Sequence, residues 1–129
     1  MAASGPVTAA GSGRVDKPWG YELRWAITDR YLGKVIHVDA GHALSLQYHV
    51  QKDEAILILR GELELVLEDD DGELVTHRMG EGMSARVRPG RRHRFQAVTD
   101  VDLLEVSSPE IDDVVRLSDD YGRAGTSKA

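Results

Sequence analysis

Glycine and proline punctuate this chain so closely that helices of ordinary length hardly fit between them. Pro18, Gly20, Gly33, Gly41, Gly61, Gly72, Gly80, Gly82, Pro89, Gly90, Pro109 and Gly122 break it into short pieces. Within the pieces apolar residues recur at period two, as in Tyr21, Leu23 and Trp25, in Leu44, Leu46 and Tyr48, and in Leu63, Leu65 and Leu67. Ala55 to Leu59 is apolar on both faces, which suits a strand covered on both sides, whereas Glu62 to Glu68 alternates acidic and apolar residues. Asp69, Asp70, Asp71 and Gly72 form a hairpin turn between two such runs, because Gly accepts a positive φ and Asp tolerates one. About ten short strands without a long amphipathic helix predict an all-β barrel or double-sheet jelly roll. A length of 129 residues leaves room for one such core.

The two ends lack core-forming residues. Residues 1–14 are mostly small or polar and are expected to be a disordered tail, as are residues 124–129, leaving an ordered domain over 15–123. The amino end has neither the basic start nor the apolar run of a secretory signal, and Cys is absent, so the expected location is the cytoplasm. No apolar run is long enough to span a bilayer, so no membrane association is expected. A net charge of −6 makes a polyphosphate backbone a poor partner, and no nucleic acid is expected.

Two segments carry the chemistry. In Gly41 to Glu54, Gln47 and His49 lie two apart and share one face of a strand, while Glu54 opens the next apolar strand and can return toward His49. A carboxylate at the head of such a strand is costly to bury unless a cation or hydrogen bonds compensate. In Gly82 to Phe95, a Pro-Gly turn leads into a strand that begins with His93. Gln47, His49, Glu54 and His93 together supply two oxygens and two imidazole nitrogens. That set suits one divalent ion such as zinc, manganese, iron, cobalt or nickel, with open positions for water or substrate.

The spacing of these residues resembles the cupin superfamily. Gly41, Gln47, His49, Glu54 and Gly61 match the first cupin motif with Gln in place of its first His, and Gly82, Arg88, Gly90 and His93 match the second with Arg where Pro is usual. Lys17-Pro18-Trp19-Gly20-Tyr21-Glu22, Leu44 to His49, Asp113 to Arg116 and Asp120 to Arg123 are similar to the C-terminal cupin of type II mannose-6-phosphate isomerases, which often follows a nucleotidyltransferase domain; a freestanding single-domain version is expected here. The resemblance implies a single-domain double-stranded β-helix in which Gln47, His49, Glu54 and His93 bind the metal. It departs from the isomerase pattern at Val50 and Gln51, which stand where two further His are usual, and retains a basic residue at Lys52.

The expected function is a metal-dependent cupin acting on a small polar substrate, with aldose-ketose isomerisation of a sugar phosphate as the named reaction. Glu54 and Lys34 are the candidate catalytic groups, and Lys52 and Arg88 the candidate substrate contacts. Arg88 belongs to a run of five arginines between Arg86 and Arg94 that either receives an anion or balances nearby acids as a solvated rim. Lys34 faces either the metal or the solvent, and Trp19, Tyr21, Trp25 and Phe95 are read as core and interface packing. The alternatives are a metal-dependent oxygenase or lyase, since two His and a carboxylate also suit non-haem iron, and a non-catalytic sugar-binding module. A homodimer is expected because small barrels protect exposed strand edges by pairing them.

Overall fold

The computed structural model describes residues 10–126. Twelve strands follow one another: β1 (Ala10–Lys17), β2 (Gly20–Ile27), β3 (Leu32–Val38), β4 (Leu46–Tyr48), β5 (Glu54–Arg60), β6 (Leu63–Glu68), β7 (Leu74–Met79), β8 (Ser84–Val87), β9 (His93–Ala97), β10 (Val101–Ser107), β11 (Val115–Ser118) and β12 (Gly125–Thr126). They form two six-stranded sheets, β1-β2-β3-β10-β5-β8 and β12-β11-β4-β9-β6-β7, and every pairing is antiparallel. From β3 to β6 and again from β7 to β11 consecutive strands cross from sheet to sheet, as in a jelly roll, and the described residues contain no helix.

The inner faces of the two sheets meet in one apolar cluster that includes Trp19, Ile36, Val38, Ile56, Ile58, Leu63, Leu65, Phe95 and Leu103. Period-two alternation then sets what lies next to it. One step along from Ile36 on β3 comes Lys34, from Leu103 on β10 comes Glu105, from Ile56 on β5 comes Glu54, and from Phe95 on β9 comes His93; all four are buried. An apolar layer thus carries a layer of ionisable groups directly on top of it.

The β6–β7 turn behaves as its composition requires. Gly72 has φ +81°, and the Asp69 carboxylate accepts hydrogen bonds from the amides of Asp71 and Glu73, each at 2.9 Å. Between β5 and β6 the requirement is stricter, because Gly61 has φ +91° and a Cβ there would collide with the Asp100 carbonyl.

Two expectations change. Tyr21, Leu23 and Trp25 do not face the core: Glu22 and Ala26 are the buried residues of β2, while Leu23 and Trp25 are 41% and 46% exposed on the outer face. The reason is local, since the Trp25 ring lies across β3 in the space that a side chain at Gly33 would occupy, while inward-facing Glu22 finds cations to pair with. The domain limits also move. Residues 10–14 and 125–126, expected in the tails, lie in β1 and β12, and Gly11 packs against the β2 backbone at Arg24 and Trp25, where its lack of a side chain is what permits contact. The rest of the expected tails, 1–9 and 127–129, lies outside the described residues.

Candidate metal centre

His49 follows β4, Glu54 starts β5 and His93 starts β9, so three strand ends deliver one side chain each to the same end of the barrel. All three are buried, and one ligand atom from each lies within 4.8 Å of the others. Glu54 Oε1 stands 3.2 Å from His49 Nε2 and 3.2 Å from His93 Nε2.

The opposite edges of both imidazoles are fixed by backbone. His49 Nδ1 donates to the Asp113 carbonyl at 2.6 Å, and His93 Nδ1 donates to the Arg91 carbonyl at 2.9 Å. A carbonyl can only accept, so the proton of each neutral ring sits on Nδ1 and each Nε2 presents a lone pair toward Glu54. Three acceptor atoms therefore converge in a buried space. His93 Nε2 makes no hydrogen bond among the described residues, and charging both rings would hold two cations with centroids 5.0 Å apart behind a single carboxylate. A divalent cation satisfies all three atoms at once, and two imidazoles plus a carboxylate are the donor set of a borderline metal ion.

Gln47 sits beside this trio. Its Cα is in register with His93 on β9 and with Arg116 on β11, its side chain is half-buried, and its Oε1 accepts a hydrogen bond from Ser45 Oγ at 2.7 Å.

Behind Glu54 the ionisable layer alternates in sign. Lys52 Nζ lies 3.6 Å from Glu54 Oε2 and 3.8 Å from Glu105 Oε2; Lys34 Nζ lies 3.8 Å from Glu105 and 3.4 Å from Glu22; and Arg24 Nε donates to Glu22 at 3.1 Å. Lys34 is thus an inward, buried residue rather than a surface one. Burial would raise the Glu54 carboxyl, but the hydrogen bond with Glu105, first among the opposing contacts, and the charge of Lys52 hold it well below the ordinary range. Glu105 is pushed up to about 8, first by burial and then by the charge of Glu54. Lys52 is lowered by burial but raised more by Glu105, Glu54 and Glu22, so it stays charged.

Arg88 is not brought to this centre. Val87, at the end of β8, is fully buried, and the next residue, Arg88, is exposed, on a surface groove with Leu67, Asp69, Asp70 and Arg91. Its neighbours are occupied by acids: Arg86 pairs with Asp53 at 2.6 Å, Arg91 with Asp70 at 2.6 Å and Arg92 with Glu68 at 3.0 Å. The rim reading of the arginine run holds for these residues. Glu105 and Glu22 went unnoticed in the sequence, although Val101, Leu103, Glu105 and Ser107 keep one phase, which placed Glu105 on an otherwise core-facing row.

A family model described as a cupin domain matches residues 34–107. The chain belongs to the cupin family. Over 114 residues, or 84% of its length, it is 34% identical to a mannose-1-phosphate guanylyltransferase of Escherichia coli strain K12, of which the match covers 23%. It is 33% identical over 115 residues to the xanthan biosynthesis protein XanB of Xanthomonas campestris pv. campestris strain B100, covering 85% of this chain and 24% of that one. The chain thus spans about a quarter of these curated relatives. Among solved structures, KdgF from Halomonas sp. superposes with a TM-score of 0.68 at 22% identity, covering 77% of this chain and 87% of that one. Oxalate decarboxylase from Bacillus subtilis superposes with a TM-score of 0.71 at 19% identity, covering 86% and 31%. These similarities establish the cupin fold.

Asp113 ties the site to the following loop. Besides its carbonyl on His49, its carboxylate accepts from the amides of Val50 at 2.9 Å, Gln51 at 2.7 Å and Lys52 at 2.9 Å. Burial would raise this carboxyl, yet the three amides outweigh it and hold it below its ordinary value of 3.8. Its stabilising contribution is therefore present above that pH and lost as pH falls through the depressed folded-state value. Asp113→Ala is expected to cost about 1–2 kcal/mol at pH 7, allowing for partial exposure. The cost should shrink toward zero in urea melts repeated at progressively lower pH; a cost independent of pH would contradict this role.

Proposed function

We propose that this cupin is a metal-dependent isomerase of sugar phosphates resembling mannose-6-phosphate isomerase. The observation that carries the reading is the convergence of His49 Nε2, His93 Nε2 and Glu54 Oε1 on one buried point, beside a pocket that His49 lines together with Lys34, Lys52 and Glu105. Support comes from the relatives: one is named for mannose 1-phosphate, and XanB is named for xanthan biosynthesis.

Aldose-ketose isomerisation moves a proton between adjacent carbons and develops oxyanion charge on the way. His49, His93 and Glu54, with Gln47 beside them, would hold the metal ion, which when bound supplies electrophilic stabilisation of that charge. The chain's own groups do the rest. Lys34 and Lys52 are buried basic groups on the pocket wall and favour the oxyanion that develops at the reacting carbons over the uncharged carbonyl. Lys34, held between Glu22 and Glu105, is the candidate for transferring the proton, and Glu54 the alternative to it. Lys52, beside Glu54, is the candidate substrate contact on this side. Protein loaded with divalent ions should convert mannose 6-phosphate to the ketose phosphate. Lys34→Met should slow the reaction by about 10²-fold or more, and Glu54→Gln should remove both activity and metal. Absence of ketose phosphate with every divalent ion tried would contradict the reading.

The same proposal includes a homodimer. Leu23, Trp25, Leu59 and Val106 are exposed, all on strands of the sheet β1-β2-β3-β10-β5-β8, and a second copy would cover an apolar surface that the chain itself leaves in water. Sedimentation should show a species of twice 14.2 kDa, and Trp25→Glu should shift it toward monomer; a single 14.2 kDa species would contradict it.

A further inference from the structure

The pocket beside Gln47 and His49 is narrow, with a free volume of about 40 Å³ opening to the solvent. Its cations fall into two sets. Lys34 and Lys52 are engaged by Glu22, Glu105 and Glu54 in the layer described above. Lys17, Arg116 and Arg123 line the same pocket from β1, β11 and the segment after β11. Arg123 is held by both carboxylate oxygens of Asp119 at 3.0 Å, but the Lys17 ammonium makes no hydrogen bond or ion pair among the described residues.

This second set is electrostatically strained. Burial lowers Lys17, and although Glu22 opposes that, Arg24, Lys34 and Arg116 lower it further. Arg116, itself buried, is lowered by burial and then by Arg123, with Asp119 and Glu22 opposing. An anion entering the pocket would relieve that repulsion. An independent feature points the same way: Trp19 is 2% exposed and lines this pocket, and its indole Nε1, which can only donate, has no hydrogen-bond partner among the described residues. A buried donor of this kind is completed by an acceptor.

The sheet register sets the reach. Arg116 stands opposite Gln47, and Gln47 opposite His93, so Arg116 and a metal-binding histidine lie two strands apart, roughly 10 Å at ordinary strand spacing. A short phosphorylated polyol would be long enough to reach from His49 to the cations.

We propose that Lys17, Trp19 and Arg116 form the receiving site for the phosphoryl group of the substrate, taking the role that the sequence pattern assigned to Arg88. A phosphate monoester fits better than a carboxylate, because its three terminal oxygens accept from an ammonium, a guanidinium and an indole at once. The inference rests on the reading of the pocket as a sugar-phosphate site and specifies where the phosphate lies.

The chain has two tryptophans, so the indole N–H region of its ¹⁵N-correlated spectrum contains two resonances, and exposed Trp25 on the outer face serves as an internal reference for Trp19. Titration with inorganic phosphate should shift the Trp19 resonance saturably and leave that of Trp25 in place. Lys17→Ala should weaken the response at least ~10-fold; should that variant lose the dispersed Trp25 resonance by unfolding, Lys17→Gln replaces it. No Trp19 shift, a shift undiminished in the Lys17 variant as for phosphate held by metal alone, or a loss caused by Arg88→Ala instead would overturn the assignment. An equal response to acetate would overturn the choice of a phosphoryl group. Isomerase failure with this titration intact would remove the reaction and leave the phosphate site standing, whereas the reverse result would remove the site alone.

Discussion

Two imidazole lone pairs and a carboxylate oxygen meet at one buried point, and most of the polar architecture of this barrel follows from making that tolerable. Each ring is aimed by a backbone carbonyl, from Asp113 for His49 and from Arg91 for His93. Backbone carbonyls move only with the chain, so ring orientation is inherited from the folding of the segments around β9 and β11 rather than from flexible side chains. Asp113 does this twice over, since its carboxylate also gathers the amides of residues 50–52 and thereby sets the path from His49 to Glu54.

A charged layer inside a small barrel carries a large desolvation cost, and a core of apolar residues would be a simpler way to fill the same volume. Here acidic and basic groups alternate, Glu22, Lys34, Glu105, Lys52 and Glu54 in turn, and Glu105, pushed up to about 8, is mostly neutral at pH 7. Stability alone gives little reason for such a chain. Its value lies in holding Glu54 ionised in a place where burial opposes ionisation, and in placing buried cations where negative charge develops on a bound molecule. The apolar cluster beneath is the complementary half, since Ile36, Ile56, Phe95 and Leu103 fix the strand positions from which Lys34, Glu54, His93 and Glu105 project.

Much of this was legible in the residues. Close turn punctuation with period-two apolar runs pointed to a jelly roll, and the spacing of Gln47, His49, Glu54 and His93 picked out side chains that the barrel gathers, with the first of them beside the other three. What was hidden falls into three kinds. Backbone acceptors such as the Asp113 and Arg91 carbonyls have no side-chain signature. Strand facing was misread in β2, because an apolar alternation marks a sheet's outer face as readily as its inner one when Trp25 can lie over Gly33. Small residues near the amino end read as a tail, although close strand packing needs the same composition at Gly11. Arg88 lies away from the three converging side chains for a related reason: a motif position fixes sequence neighbours, while the fully buried Val87 beside it fixes which way the chain faces.

The most direct test is anomalous scattering from crystals of the protein, collected on both sides of the absorption edge of whichever divalent ion is found in it. A single strong peak about 2.0–2.3 Å from His49 Nε2, His93 Nε2 and a Glu54 oxygen is the predicted result. A map without a peak at that point, with the two imidazoles hydrogen-bonded directly to Glu54, would contradict it.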